Sequence, residues 1–323
     1  MKYRTLGKTG YSVSEIGFGA WAIGGTWWGD QDDNDSIRAL HEAIDRGVNF
    51  IDTAAGYGDG HSERLIGQVL KERSEEIKVA TKTPLKFPGT WPPSPYDNWE
   101  DRYGEAYLRE NVEQRLRNLN VECLDLLQLH TWTRAWNRDP KPFEVLRKLQ
   151  AEGKIAKLGV STPEPDQNAV IDLMRDGWVD SVQVIYNIFE QEPAAELLPV
   201  AKEQNVGIIV RVAMEEAALT GKFNKETTFP EDDFRSKYFA GDRLGRVVDR
   251  VEKIREDFPD HNLAELALRF ALQHPAVSTV IAGMRNPRQV ELNVPVADMP
   301  PLSDEEMDNL RQHAWLKMFW HSY

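Results

Sequence analysis

Strand-like and helix-like patterns alternate along this chain eight times, and that rhythm constrains the fold more than any other feature. Strands are predicted from Ser14 to Ala20, Val48 to Ile51, Ile77 to Lys82, Leu124 to His130, Ile155 to Ser161, Val182 to Tyr186, Val206 to Val212 and Val277 to Ala282. Between them lie amphipathic segments with helical spacing. From Asp35 to Arg46, for instance, Ile37, Leu40, Ala43 and Ile44 share one face and Gly47 ends the run. Val206-Gly207-Ile208-Ile209-Val210 reads as a strand buried on both faces, as parallel strands are. Eight βα units in 323 residues predict α/β architecture: a single (β/α)8 TIM barrel over residues 1–323, without interdomain linker or low-complexity tract. A doubly wound sheet is the alternative.

Three strand-following segments are long: Thr83 to Arg102, Thr131 to Lys141 and Ala213 to Asp242. In a barrel these lie at the C-terminal face, where active sites are built. They carry Trp91, Trp99, Trp132 and Trp136, while Trp27 and Trp28 follow the first strand and Trp315 and Trp320 lie in a C-terminal tail. Such aromatics either line a substrate site or pin the loops, and the pattern does not choose. Lys and Arg number 39 against 52 Asp and Glu, a net charge of −13, which argues against a nucleic-acid partner. The single cysteine, Cys123, rules out an internal disulfide and reads as a small core residue. The start of the sequence lacks an apolar signal region, and no run reaches the roughly 20 apolar residues of a membrane helix. A cytoplasmic location is expected.

Residues at the ends of adjacent barrel strands meet around one mouth. Here they are Asp52 after the second strand, Tyr57 on the following Gly-Tyr-Gly turn, Lys82 at the end of the third strand and His130 at the end of the fourth. Each has a bland reading alone, as an ion pair or a satisfied core histidine. Together they make a proton-transfer site. Tyr57 is a proton donor at neutral pH, Lys82 is expected to lower its pKa, Asp52 to hold Lys82, and His130 to bond a substrate oxygen. After the seventh and eighth strands, Arg211 and the run Ile281-Ala282-Gly283-Met284-Arg285-Asn286-Pro287 suit a phosphorylated ligand.

These pieces resemble the aldo-keto reductase family along nearly the whole chain. The resemblance rests on Arg4-Thr5-Leu6-Gly7-Lys8-Thr9-Gly10, Asp52-Thr53-Ala54-Ala55-Gly56-Tyr57-Gly58, Ala80-Thr81-Lys82, Asp125-Leu126-Leu127-Gln128-Leu129-His130, Gly159-Val160-Ser161 and Leu219-Thr220-Gly221-Lys222. It implies reduction of an aldehyde or ketone, or oxidation of the alcohol, with NADPH; NADH is possible. Tyr57 is then the proton donor, with Lys82, Asp52 and His130 as partners. The family's cofactor contacts map onto Ser161 and Gln183 for the carboxamide, and onto Gly283, Arg285, Gln289 and Asn293 for the adenosine end. The chain departs from the family pattern at Thr162, Ala213, Met214 and Leu292, and at Arg211, which stands where many relatives stack a tyrosine on the nicotinamide. Arg285 favours a 2′-phosphate, hence NADPH. Two other readings remain: an NADPH-binding regulatory protein resembling channel β subunits, and a Schiff-base lyase using Lys82, which the Asp52 partner disfavours.

Three weaker signals are set aside. Gly17-x-Gly19-x-x-Ala22 lacks the helix that a dinucleotide fingerprint needs. The acidic run Asp30 to Asp35 lacks the glycine and glutamate of a calcium loop and reads as a helix cap. Gly159 to Pro163 lacks the closing glycine of a nucleophile elbow.

Overall fold

A computed structural model describes residues 1–315. At its centre eight parallel strands close into a barrel: β3 (Ile16–Gly19), β4 (Phe50–Asp52), β5 (Lys78–Pro84), β6 (Leu124–His130), β7 (Ile155–Ser161), β8 (Ser181–Ile185), β9 (Gly207–Arg211) and β10 (Val277–Gly283). β10 returns to pair with β3, Val280 opposite Ile16. The expected TIM barrel is therefore what the chain forms. Two further strands precede it, β1 (Tyr3–Thr5) and β2 (Ser12–Ser14), paired antiparallel. At three residues each they are too short to show a periodicity, and Ser14, expected to open the barrel strand, ends the hairpin instead.

That hairpin closes one end of the barrel. Leu6 and Val13 cluster with the inward side chains Phe50, Ala80, Leu126 and Ile209. Strand side chains alternate between faces with period two. Two residues along, the same inward direction is taken by Asp52, Lys82, Gln128 and Arg211. The register carries this around the sheet, with Gln128 opposite Gly159 and Gly159 opposite Ser181, then His130 opposite Ser161 and Ser161 opposite Gln183. An apolar plug thus fills the lower barrel, and a polar layer stands directly on it. The outward faces of the strands pack on the helices through residues such as Ile51, Val79, Leu127, Val182 and Val280.

The helices follow their sequence signals with small shifts. The first spans Asp33–Asp45 and is capped by Asp32, whose Oδ1 accepts from Asn34 N at 2.7 Å, so the acidic run does serve as a cap. The predicted helix from Asp166 divides into a 3-10 turn, Gln167–Val170, and a short α-helix, Ile171–Arg175. The one predicted from Ala194 starts at Leu197, which places Pro199 in the first turn, where its missing N–H costs nothing. The final helix, Asp304–Arg311, opens on a capping box between Ser303 and Glu306; Leu316 and Trp320 lie outside the described residues. Cys123 is exposed, not a core residue, because it precedes β6 instead of lying within it. No helix among the described residues is long and apolar enough to cross a membrane.

One buried polar cluster braces the β5 side of the barrel from outside. Glu63, fully buried on helix His61–Glu72, pairs with Arg115 at 2.7 Å and accepts from Thr81 Oγ1 at 2.6 Å and Asn118 Nδ2 at 2.8 Å. Thr81 and Thr83 point outward on either side of Lys82, and Thr83 bonds Asn111 at 2.8 Å. Two anchored neighbours therefore fix the stretch of β5 that aims Lys82 inward. Glu63→Ala strands the Arg115 charge in the core and is expected to cost about 3–5 kcal/mol. A urea-unfolding midpoint indistinguishable from that of the unaltered protein would show that the cluster does not brace the fold.

Candidate active site

The four proton-transfer candidates lie where the strand ends converge. Lys82 Nζ donates to Asp52 Oδ2 at 2.5 Å, to the Thr53 carbonyl at 2.8 Å and to the Tyr57 hydroxyl at 3.2 Å. Both Lys82 and Asp52 are buried to within 2% of full cover. A polar side chain deep in a barrel is costly unless its hydrogen bonds are met, and here they are. Asp52 Oδ1 takes two amide donors as well, Gln183 Nε2 at 2.7 Å and Gln128 Nε2 at 3.2 Å. Gln128 escaped the sequence reading although a signal was present: it is a lone amide inside Leu126-Leu127-Gln128-Leu129, two residues before His130 and hence on the same face.

The Tyr57 turn is held by close backbone contact. At Gly58, which has φ +62°, a Cβ would lie 2.0 Å from the Gly24 carbonyl oxygen, and at Gly24 it would lie 2.7 Å from the Tyr57 carbonyl carbon. Only two glycines permit that approach. Below it, Ser62 Oγ links Thr53 Oγ1 and the Ala20 carbonyl, both at 2.9 Å. Tyr57 is consequently fixed relative to β4 and to the loop after β3.

The electrostatics correct one expectation. Burial pushes the Tyr57 phenol above its usual value; Lys82 pulls it down and Asp52 pushes it back up, and the net position is raised, not lowered. The expected lowering left out burial, which outweighs the Lys82 charge, while Asp52 offsets part of that charge. Lys82 itself is drawn down by burial but is held above its ordinary value by Asp52 and Tyr57, so it is charged at neutral pH. Burial, followed by the Lys82 and Arg211 charges, holds His130 well below its usual range, so its imidazole is neutral. Its ring meets Trp91 edge-on at 4.5 Å.

The aromatic residues divide by role. Trp132 and Trp136 are buried and pack with Tyr103 and Phe143, so they pin the loops. Trp315 packs against Phe189. Trp91 and Trp27 are exposed, the first beside His130. Trp21, not singled out in the sequence, stacks on Tyr57 at 5.9 Å and meets Phe234 at 4.7 Å. Phe234 N bonds the Trp27 carbonyl at 2.9 Å, which lays the segment around the short helix Arg235–Tyr238 over the mouth. A cleft of about 250 Å³ runs along Thr26, Trp27, Asp232 and Phe234, beside the Tyr57 site and not within it.

The remaining candidates form two groups. Ser161 and Gln183 are register neighbours at the mouth, and Ser161 Oγ is buried without a hydrogen-bond partner. Arg211 donates to the Thr162 carbonyl at 3.1 Å and to Glu164 at 3.0 Å. Thr162 itself turns away to bond Gln167 at 3.0 Å. Past β10, Arg285 N donates to Gln289 Oε1 at 2.8 Å and Asn293 Nδ2 to the Gly283 carbonyl at 3.2 Å, so Gln289 and Asn293 each commit one side-chain atom to shaping the turn. Arg285 Nη1 bonds the Trp28 carbonyl at 3.1 Å, tying this turn to the loop after β3. Leu292, beside Asn293, is half exposed.

Known proteins resemble this chain over nearly its whole length. Aldo-keto reductase YhdN of Bacillus subtilis (strain 168) is 31% identical over 315 residues, covering 95% of this chain and 92% of the relative. The NADH-specific methylglyoxal reductase of Escherichia coli (strain K12) is 28% identical, covering 97% and 98%. Among solved structures, the glycerol dehydrogenase AKR11B4 from Gluconobacter oxydans superposes with a TM-score of 0.76 at 32% identity, covering 94% of this chain and 92% of that one. The model of the Aldo/keto reductase family matches residues 15–314, and the chain belongs to that family.

Proposed function

We propose that the protein is an oxidoreductase that moves a hydride between NADPH and an aldehyde or ketone, with Tyr57 as the proton donor. The observation that carries this reading is the Lys82 ammonium, bonded at once to Asp52 and to the Tyr57 hydroxyl. A carbonyl oxygen gains negative charge as it is reduced. A phenol backed by a cation can give up its proton to that oxygen, and the fixed charge stabilises what develops. His130, neutral and partly exposed at the rim, has an N–H to offer the same oxygen. Asp52 acts through Lys82, keeping it charged and in place. The Schiff-base alternative is disfavoured by the same contact, since a lysine held as an ammonium is a poor nucleophile.

The residues present fit a dinucleotide. The orphaned Ser161 hydroxyl lies beside Gln183, a pair suited to a carboxamide. Gly283 is exposed, with no atom within 4 Å of where a Cβ would stand. Arg285 supports the assignment of NADPH by offering a planar fork for phosphate oxygens. When bound, the cofactor supplies or accepts the hydride. The E. coli relative is named for NADH, so both cofactors belong in the assay.

Tyr57→Phe is expected to bind NADPH as tightly as the unaltered protein, followed by fluorescence, while turnover falls roughly 10²–10⁴-fold. Turnover at the original rate would remove Tyr57 from the mechanism. Gln128→Leu takes one donor from Asp52 without touching the mouth. It should lower kcat about tenfold with the carbonyl KM unchanged; a change confined to KM would contradict its positioning role.

The pH profile follows from the directions above. His130 is neutral and Tyr57 protonated through neutrality, so kcat for carbonyl reduction should be flat there. Because the phenol is raised, the donor form persists and the alkaline fall lies above about pH 10. A fall centred near pH 8–9 would mean that the Lys82 charge outweighs burial after all.

A further inference from the structure

Among the described residues the mouth holds two cations, Lys82 and Arg211, and they are unequally neutralised. Lys82 lies 2.5 Å from Asp52 with both side chains buried. Arg211 is 3.0 Å from Glu164, whose side chain is 43% exposed, so water screens that counter-charge. The Arg211 Nε–H is buried and has no hydrogen-bond partner among the described residues. Its side chain stands two residues beyond the inward-facing Ile209, at the end of the strand next to the one bearing Gln183, with Ser161 one strand further on. Its field already reaches the reacting groups, since it acts on both His130 and Tyr57.

We propose that Arg211, with Glu164 as an incomplete counter-charge, biases the bound nicotinamide couple toward its reduced form. This rests on the reading of Ser161 and Gln183 as a nicotinamide site. The oxidised ring carries a positive charge and the reduced ring carries none. A guanidinium fixed beside that site raises the free energy of the first and leaves the second nearly untouched. Glu164 offsets part of the effect. Among bound species the balance then moves toward alcohol oxidation. In that direction Tyr57 acts as the phenolate, supported by the Lys82 ammonium, and takes the hydroxyl proton; the hydride passes with its electron pair to the bound oxidised cofactor, and a carbonyl is the product. The arrangement does not block carbonyl reduction, but it makes that the direction the protein favours less once its ligands are bound.

The test is a pair of binding titrations, NADP+ and NADPH, followed by tryptophan fluorescence on the full chain. The wild-type protein should hold NADPH more tightly than NADP+. Arg211→Leu should shrink the ratio of the two dissociation constants about tenfold. Glu164→Gln removes the counter-charge and should widen it several-fold. Opposite signs are the signature, because a variant that only loosened the mouth would weaken both ligands alike. If both forms bind Arg211→Leu with the ratio unchanged, or if Glu164→Gln narrows it, the inference is overturned while the nicotinamide site stands. Should Arg211→Leu not fold, the sign of the Glu164→Gln effect decides alone. Failure of either form to bind the wild-type protein would overturn the reading of the site itself, and this inference with it.

Discussion

Everything at the mouth hangs on one buried ion pair. Taking an ammonium and a carboxylate out of water costs several kcal/mol per ion, and their attraction offsets this only with good geometry and further hydrogen bonds. Asp52 and Lys82 meet both conditions. Lys82 spends its donors on Asp52, the Thr53 carbonyl and Tyr57, while Asp52 receives amides from Gln128 and Gln183. The pair therefore stabilises the fold little and orders the site greatly. It gives Tyr57 a fixed cation, and it gives the inner polar layer a reason to sit on top of an apolar plug.

Period two explains why so much of this could be read from the chain. A strand-end residue shares its face with the residue two before it, so Asp52, Lys82 and His130 declared themselves once the strands were recognised. What the one-dimensional pattern could not weigh was competition between forces. The sign of the Tyr57 shift depends on burial and on Asp52 muting Lys82, and neither is a property of Tyr57's neighbours in sequence. Gln128 has no role that its own strand reveals, because the role comes from Asp52, two strands away. The hairpin that plugs the barrel was too short to register, and Cys123 was placed in the core because it borders an apolar run. Trp21 and Phe234 meet over Tyr57 from segments more than two hundred positions apart, a contact that no local spacing encodes.

The loops divide their labour on the same grounds. Trp132 and Trp136 are packed inside the segment after β6 and give it a small core of its own. The segment after β9 has an aromatic cluster in Phe223, Phe229, Tyr238 and Phe239, and it also leans on the loop after β3 through Phe234, which packs on Trp28 and bonds the Trp27 carbonyl. The mouth is thus framed on one side by a wall closed on itself and on the other by a wall that also borrows support from the loop after β3.

The closure of β10 on β3 has a kinetic side. The first barrel strand has one lateral edge that only the last strand can satisfy, with Val280 opposite Ile16. During synthesis that edge waits while nearly the whole chain is made, and an unpaired strand edge is a template for other chains. The entropy of so long a loop grows only as the logarithm of its length, so the finished barrel loses little stability by it. The burden falls on the time before closure, when a nascent chain has Asp52, Tyr57, Lys82 and His130 translated and still has no closed barrel to hold them.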